Sequence, residues 1–138
     1  MKEKVIDFLN KRRPQFLTDL GGSIIDVDLE TGTCEMEFNV SERYCHSIDI
    51  IQGGFVTAML DAVSSHAVFV KKAEIRAVST LELKVSFYEP SRKGKLKAVG
   101  RIDKMGRSIA FLSGDLYNEA NQRTASIVAT AKISYPKS

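Results

Sequence analysis

One stretch decides the fold of this chain: Gln52-Gly53-Gly54-Phe55-Val56-Thr57-Ala58-Met59-Leu60-Asp61. A pair of glycines opens a strongly apolar segment that carries one isolated carboxylate. The first N–H groups of a helix have no partner within the helix, and glycine lets a ligand approach them closely. The glycine pair is therefore a candidate site for a developing oxyanion. Asp61 would lie about two turns and roughly 12 Å further along the helix.

Apolar residues continue at helical spacing to about Lys72, which predicts a central helix over residues 53–72. At about 100° per residue, the small and polar residues of this helix share one stripe roughly 100° wide. The members of the stripe are Gly53, Gly54, Thr57, Asp61 and Ser64. Two interpretations of Ser64 stay open, because a small residue on such a stripe either contacts a substrate or permits close helix packing.

Periodicity also predicts the elements on both sides of this helix. Residues 2–12 form an amphipathic pattern that ends before Pro14, and alternation over 25–29 and 34–40 predicts a hairpin with its turn at 30–33. Residues 41–51 have no sustained period and are predicted to be a loop. Four later runs, 78–88, 95–104, 108–118 and 123–135, predict an antiparallel meander. In the first run, one face is predicted to be buried: Leu81, Leu83, Val85 and Phe87.

Composition bounds the remaining possibilities. A chain of 138 residues with 43% hydrophobic content predicts one domain, residues 1–138, with a single core. The net charge of +3 is spread along the chain, so no nucleic-acid partner is expected. The N-terminus has no apolar signal core, and the sequence predicts no membrane span. Cys34 and Cys45 lack the spacing of a disulfide framework or a metal site, which favours a cytoplasmic protein without metal or cofactor.

The predicted order of elements is that of the hotdog fold, an α+β architecture. In that fold an antiparallel curved sheet of about six strands wraps around one long helix, here with a short N-terminal helix. The run Gln52-Gly53-Gly54 followed by Asp61 resembles the His-Gly-Gly and downstream Asp of the PaaI-type acyl-CoA thioesterases of the hotdog superfamily. Segments 77–83, 87–90 and 105–107 are also similar to that family, so the resemblance covers most of the chain from about residue 20.

The resemblance implies roles for particular residues. The Gly53 N–H would polarise the thioester carbonyl, Asp61 would act as general base or as nucleophile, and Ser79 would orient the attacking water or the carboxylate. His46 and Gln52 stand where many relatives have Asn and His. His46 is either a member of the site or an ordinary loop histidine, whereas His66, far along the helix, is interpreted as structural.

Three functions remain open at this point. The first is an acyl-CoA thioesterase, which needs an oxyanion donor and a carboxylate that activates water. The second is a non-hydrolytic module that binds acyl-CoA, because His46 and Gln52 depart from the family pattern. The third and weaker possibility is a hotdog dehydratase, which would need a catalytic histidine near the start of the helix.

The resemblance also implies partners. An acyl-CoA substrate brings phosphates, for which we expect basic contacts at Arg92, Lys104 and Arg107, although these residues are equally explained as turn charges. Further substrate contacts are expected at Gly54 and Ser64 on the helix stripe. Hotdog domains of this type form homodimers or tetramers of two dimers, with the acyl tunnel between subunits. His46, Gln52 and Gly53 of one chain would then face Asp61 and Ser79 of the partner subunit.

Overall fold

A 19-residue helix, Gly53–Lys71, lies against a six-stranded antiparallel sheet. The computed structural model describes residues 1–137. Its helices are α1 (Lys2–Lys11), α2 (Gln15–Asp19) and α3 (Gly53–Lys71). Its strands are β1 (Gly22–Asp28), β2 (Thr33–Val40), β3 (Cys45–Ser47), β4 (Ile50–Ile51), β5 (Ala77–Phe87), β6 (Gly94–Met105), β7 (Ile109–Tyr117) and β8 (Arg123–Ser134). The predicted central helix and the α+β class are confirmed.

The core forms where α3 packs on the inner face of the sheet, and α3 contacts all six strands. Three of its apolar side chains have no solvent exposure there, those of Met59, Leu60 and Val63. Helix and sheet approach most closely at Gly100, where a Cβ atom would lie 2.2 Å from the carbonyl oxygen of Val63. Only glycine fits at such a distance, so Gly100 sets how deeply α3 sits in the sheet.

The order of strands is β1-β2-β6-β7-β8-β5. The predicted meander is therefore right for β6, β7 and β8 but wrong for β5, which pairs with β8 at the edge of the sheet. The connection from β5 to β6 is not a hairpin. Its first end is bonded to the start of β8, where the Tyr88 N–H donates to Thr124 O, and its second end to the β3–β4 connection, where the Lys93 N–H donates to Asp49 O. These bonds carry the chain across the sheet to β2, where β6 pairs.

The prediction of a buried face on β5 is also wrong. The register shifts between Thr80 and Glu82, and the bulged Leu81 is 59% exposed. Leu83 and Phe87 lie on the helix side of the sheet but remain 38% and 54% exposed, because an edge strand extends past the cover of α3. The alternation correctly predicted a strand. The prediction of burial was wrong because burial depends on whether a strand lies at the centre or at the edge of the sheet.

Two local features were not predicted. Pro14 precedes a short helix, α2, and the expected loop over 41–51 contains a 3₁₀ turn (Glu42–Tyr44) and the small β3–β4 ladder.

By length and composition α3 would also suit a membrane span. The core helix of a soluble domain passes the same test, and half of the apolar window of α3 is buried inside the protein.

Candidate active site

The start of α3 is fixed by a side-chain cap. The Gly54 N–H donates a 2.7 Å hydrogen bond to Gln52 Oε1, and Gln52 is the N-cap residue with an extended backbone. A Cβ at position 54 would lie 2.7 Å from that same oxygen, so glycine permits the cap. The Gly53 N–H has no hydrogen-bond partner among residues 1–137. It remains available to an external acceptor at the positive end of the helix dipole.

The cap also orients the amide of Gln52. Because Oε1 accepts from Gly54, the Nε2 group is directed away from that bond, and it has no partner within the described chain. A neutral amide cannot transfer protons as histidine can, but it donates hydrogen bonds. Gln52 and Gly53 therefore present two donors side by side at the start of α3.

Asp61 is half-buried on α3, and its carboxylate is held by a residue that the sequence did not single out. The Thr80 hydroxyl donates a 2.7 Å hydrogen bond to Asp61 Oδ1. Thr80 pairs with Ala131 of β8, which is fully buried, so this position faces the helix. Ser79, the residue taken from the resemblance, is exposed and pairs with the exposed Lys132 on the other face. The contact expected of Ser79 is thus made by Thr80.

Strand alternation alone could not have identified Thr80. Neighbouring residues of a strand point to opposite faces, so Ser79 and Thr80 cannot both reach the helix. The bulge at Leu81 reverses the phase of the later apolar residues, so regular alternation counted back from Leu83 places Ser79, the residue that the resemblance supplied, on the helix side.

The remaining hydroxyls of the stripe are turned to the helix backbone. Thr57 Oγ1 donates to Gly53 O at 2.9 Å, and Ser64 Oγ donates to Asp61 O at 3.1 Å. Ser64 has no solvent exposure. Its observed role within this chain is to close the packing of α3, while a substrate contact at Ser64 stays a prediction.

His46 lies on β3 and is exposed, with Nδ1 3.0 Å from Ser47 Oγ. It makes no side-chain hydrogen bond to Gln52 or Asp61 within residues 1–137. His46 is therefore not hydrogen-bonded to those two side chains, although the Cys45–Ile51 pair of the β3–β4 ladder places it near Gln52.

The three basic candidates lie at different ends of the molecule. Arg92 is bridged to Ile50, close to the start of α3, and its guanidinium forms a 2.8 Å ion pair with Asp49. Lys104 and Arg107 lie at the β6–β7 hairpin, toward the opposite end of α3, where Ile102 packs near Lys71 around Gly32. One chain does not bring the three together.

A cavity of about 450 Å³ adjoins the start of α3. Its walls are mainly apolar and include Phe16 and Leu20 from the α2 region, with Tyr44 and Phe55. The rings of Tyr44 and Phe55 meet edge to face at 4.9 Å. This cavity was not predicted because α2 was not predicted, although Phe16, Leu17 and Leu20 have helical spacing after Pro14.

No cluster of three or more His, Cys, Asp or Glu side chains within residues 1–137 is arranged to hold a metal ion. Cys34 is fully buried, and desolvation raises the pKa of its thiol to about 12. The chemistry available in this part of the chain is therefore that of a held carboxylate and backbone and amide donors at a helix start.

A long helix with a held carboxylate, packed on a six-stranded antiparallel sheet, is the arrangement of the hotdog fold. Residues 49–125 match the family model described as the thioesterase superfamily, and the chain belongs to that superfamily. The match begins just before α3 and ends in β8, so it includes Gly53, Asp61 and Thr80.

Relatives agree with this assignment. A provisionally named esterase of Saccharolobus solfataricus is 26% identical over 102 residues, which are 74% of this chain and 67% of that protein. A provisionally named thioesterase of Ralstonia eutropha, described as related to phenylacetic acid degradation, is 28% identical; the match covers 93% of this chain and 98% of that one, with a TM-score of 0.84. The resemblance to the PaaI type is confirmed.

A structure from Streptococcus mutans that is described as bound to acetyl-CoA has the same fold, with 15% identity, a TM-score of 0.74 and coverage of 85% of this chain and 91% of that one. The hotdog fold is thereby confirmed. Family membership and the relatives support thioester hydrolysis as the general activity.

Proposed function

We propose that this protein is an acyl-CoA thioesterase that converts an acyl- or aryl-CoA and water into the free acid and CoA. The observation that carries the proposal is the hydrogen bond from Thr80 to Asp61 Oδ1. It fixes one carboxylate oxygen, while Oδ2 has no hydrogen-bond partner among the described residues. A carboxylate fixed in this way, on a helix that is otherwise apolar, is suited to act on a substrate.

Asp61 has two routes, and both balance. As general base it takes a proton from water while the water oxygen attacks the acyl carbon; the C–S bond then breaks, and the proton passes to the leaving thiolate. As nucleophile it forms an acyl anhydride with loss of CoA thiolate; water then hydrolyses the anhydride, which regenerates the Asp61 carboxylate, releases the acid and supplies the proton that the thiolate takes up. Either route passes through an oxyanion that the Gly53 N–H and the Gln52 amide can stabilise. One such donor contributes roughly 3–4 kcal/mol to transition-state stabilisation.

Gly53 and Asp61 of one chain are too far apart to contact the same carbonyl, since eight residues of helix span about 12 Å. A second copy of the chain, paired along the open edge of β5, would bring the two groups together. It exposes Leu81, Leu83 and Phe87, which is the kind of edge that invites pairing with another strand.

We propose that two copies pair along this edge about a twofold axis between residues 83 and 84. Antiparallel pairing then sets Thr80 opposite Phe87 of the partner subunit. Phe87 packs against Gly53 in its own chain, with a contact of 3.4 Å to the position of a Cβ, and Thr80 holds Asp61. Asp61 would therefore meet Gly53 of the partner subunit, so that each site takes its base and its oxyanion donor from different chains.

The acyl-CoA specificity has further support. Acetyl-CoA is bound in the Streptococcus mutans structure of this fold. In this chain the apolar cavity of about 450 Å³ beside Gly54 offers room for an acyl group, and its size is in the usual range for small-molecule sites, about 300–1,000 Å³. Of the three basic candidates, Arg92 is the one that lies near the start of α3, where this cavity is found.

The test is release of free thiol from a panel of short, medium and aryl acyl-CoAs. Asp61→Asn should lower kcat at least about 100-fold, while substrate binding measured by calorimetry persists. Asp7→Asn, on the exposed face of α1, is the matched control and should keep full activity.

Full hydrolysis by Asp61→Asn would overturn the assignment of Asp61. Tight acyl-CoA binding by the native protein without thiol release would instead indicate a non-hydrolytic module. Hydration of an enoyl-CoA without thiol release would indicate a dehydratase.

A further inference from the structure

A second cavity lies on the side of α3 away from Asp61. It has a volume of about 300 Å³ and is enclosed by α1, the second half of α3 and the segment that follows α3. His66 lines it, and this residue lies about 140° around the helix from Asp61. The cavity is therefore separate from the proposed thioesterase site.

The cavity combines apolar walls with polar groups. Leu9 and Ile75 are buried at its base, and the rings of Phe8 and Phe69 form its sides. A smaller cavity of about 150 Å³ adjoins it, shares Phe8, Leu9 and Phe69, and extends toward Val5. Together the two form a furrow between α1 and α3 that an extended or aromatic apolar group could fill.

Two guanidinium groups stand at the rim of the furrow, those of Arg12 and Arg76. Neither forms an ion pair with any carboxylate in residues 1–137, which leaves both guanidinium groups available to an external anion. The Arg12 guanidinium lies 5.0 Å from the centre of the Phe8 ring, so the charge is placed directly beside the apolar wall. Guanidinium groups match a carboxylate with two parallel donors.

His66 keeps the interior uncharged. Its Nδ1–H donates a 2.8 Å hydrogen bond to Ala62 O, and burial lowers the pKa of the imidazole below its usual value. Neutral His66 adds a polar acceptor at Nε2 but no charge. The furrow thus has positive charge only at its rim and apolar walls inside, which is the pattern that an amphiphilic anion requires.

We propose that this furrow binds a free monocarboxylic acid with a medium-chain or aryl body, with its carboxylate held between Arg12 and Arg76 and its apolar part between Phe8 and Phe69. The site is non-catalytic and does not depend on the proposed thioesterase activity. In an acyl-CoA the group next to the apolar body is an uncharged thioester, so only the free acid places an anion directly beside that body.

The test uses proton NMR of the two histidines, His46 and His66, during titration of the full-length protein with octanoate. Saturable movement of the His66 ring signals with static His46 signals is the expected result. Arg12→Gln and Arg76→Gln should each weaken octanoate binding about tenfold, as expected for the loss of one charge-assisted hydrogen bond at a partly exposed site. Arg43→Gln, another exposed arginine, is the matched control and should bind as the native protein does.

Two further probes separate charge from apolar contact. Phe69→Ala should weaken octanoate binding, and 1-octanol and inorganic phosphate should both bind at least tenfold more weakly than octanoate. Equal binding of 1-octanol would overturn the role of the arginines, and equal binding of phosphate would overturn the role of the apolar walls. Octanoate that leaves the His66 signals unmoved would overturn the site itself.

Discussion

The Thr80 hydroxyl donates a 2.7 Å hydrogen bond to Asp61 Oδ1, and this bond joins the edge strand β5 to the middle of α3. It is the one side-chain hydrogen bond of Asp61 within residues 1–137. Because β5 is the open edge of the sheet, the bond holds the carboxylate at the place where a second subunit would pair. The position of Asp61 thus depends on a strand that one chain leaves half-covered.

Thr80→Val should lower kcat/KM about 10- to 100-fold, because it removes a hydrogen bond to a charged group worth roughly 1.5–3 kcal/mol while keeping the shape of the side chain. Thr80→Ser should restore most of the activity. Ser79→Ala, on the opposite face, should stay within about twofold of native in the same thiol-release assay. A larger loss in Ser79→Ala than in Thr80→Val would return the role to Ser79.

The sequence predicted those site residues whose positions are set by local patterns, and it did not predict those whose positions are set by long-range pairing. Gly53 and Asp61 were identified because helix periodicity and the helix start are local properties that a short window contains. The choice between Ser79 and Thr80 depended on a bulge, and the place of β5 depended on long-range pairing with β8, neither of which local alternation reports. The cavities between α3 and α1 or α2 need tertiary packing and could not be predicted from periodicity.

Gly53→Pro should remove the proposed oxyanion donor without removing the helix. Proline lacks the N–H and is well tolerated at the first helical position, and the preceding Gln52 already has the extended backbone that a residue before proline adopts, with φ −62° and ψ 136°. We expect kcat to fall about 10²- to 10³-fold at an unchanged melting temperature. Gly53→Ala keeps the N–H, with an ordinary 3.4 Å contact to Phe87, and should retain activity.

Gly100→Ala should destabilise the fold by about 3 kcal/mol or more. The added Cβ would lie 2.2 Å from Val63 O, and backbone atoms of a packed helix cannot move aside cheaply. Gly106→Ala is the control, because its nearest atom would be 3.6 Å away. Urea denaturation measures the free energy of unfolding of both variants, with the slope against urea concentration (the m value) held constant between them. Equal midpoints for the two variants would show that α3 can shift away from the sheet.

Stability should fall with rising pH through the titration of Cys34. The unfolded thiol ionises near 9.0 and the folded one at about 12, so between these values the unfolded state binds fewer protons and is favoured. This one group contributes a slope of at most about 1.4 kcal/mol per pH unit. Cys34→Ala should show a shallower loss between pH 9 and 11 than the native protein in urea denaturation. Parallel pH curves for the two proteins would contradict the raised pKa.

A mixing experiment tests whether Gly53 and Asp61 act across a subunit interface. Asp61→Asn and Gly53→Pro subunits are each inactive alone, because every site in those homodimers has lost one group. In a heterodimer with sites shared between chains, one site combines both defects, while the other combines an intact Asp61 with an intact Gly53. Random exchange makes half of the dimers heterodimers with one working site of two, so activity should return to about a quarter of native.

The control mixes two variants whose changed residues both belong to the part of the site that one and the same chain contributes. Asp61→Asn mixed with Thr80→Val should give no gain, since both residues belong to one chain's contribution and no heterodimer site is free of defects. If Asp61→Asn and Gly53→Pro also fail to complement after verified subunit exchange, each site would have to be built from a single chain. The 12 Å between the two groups along α3 would then require a substrate carbonyl held by some donor other than Gly53.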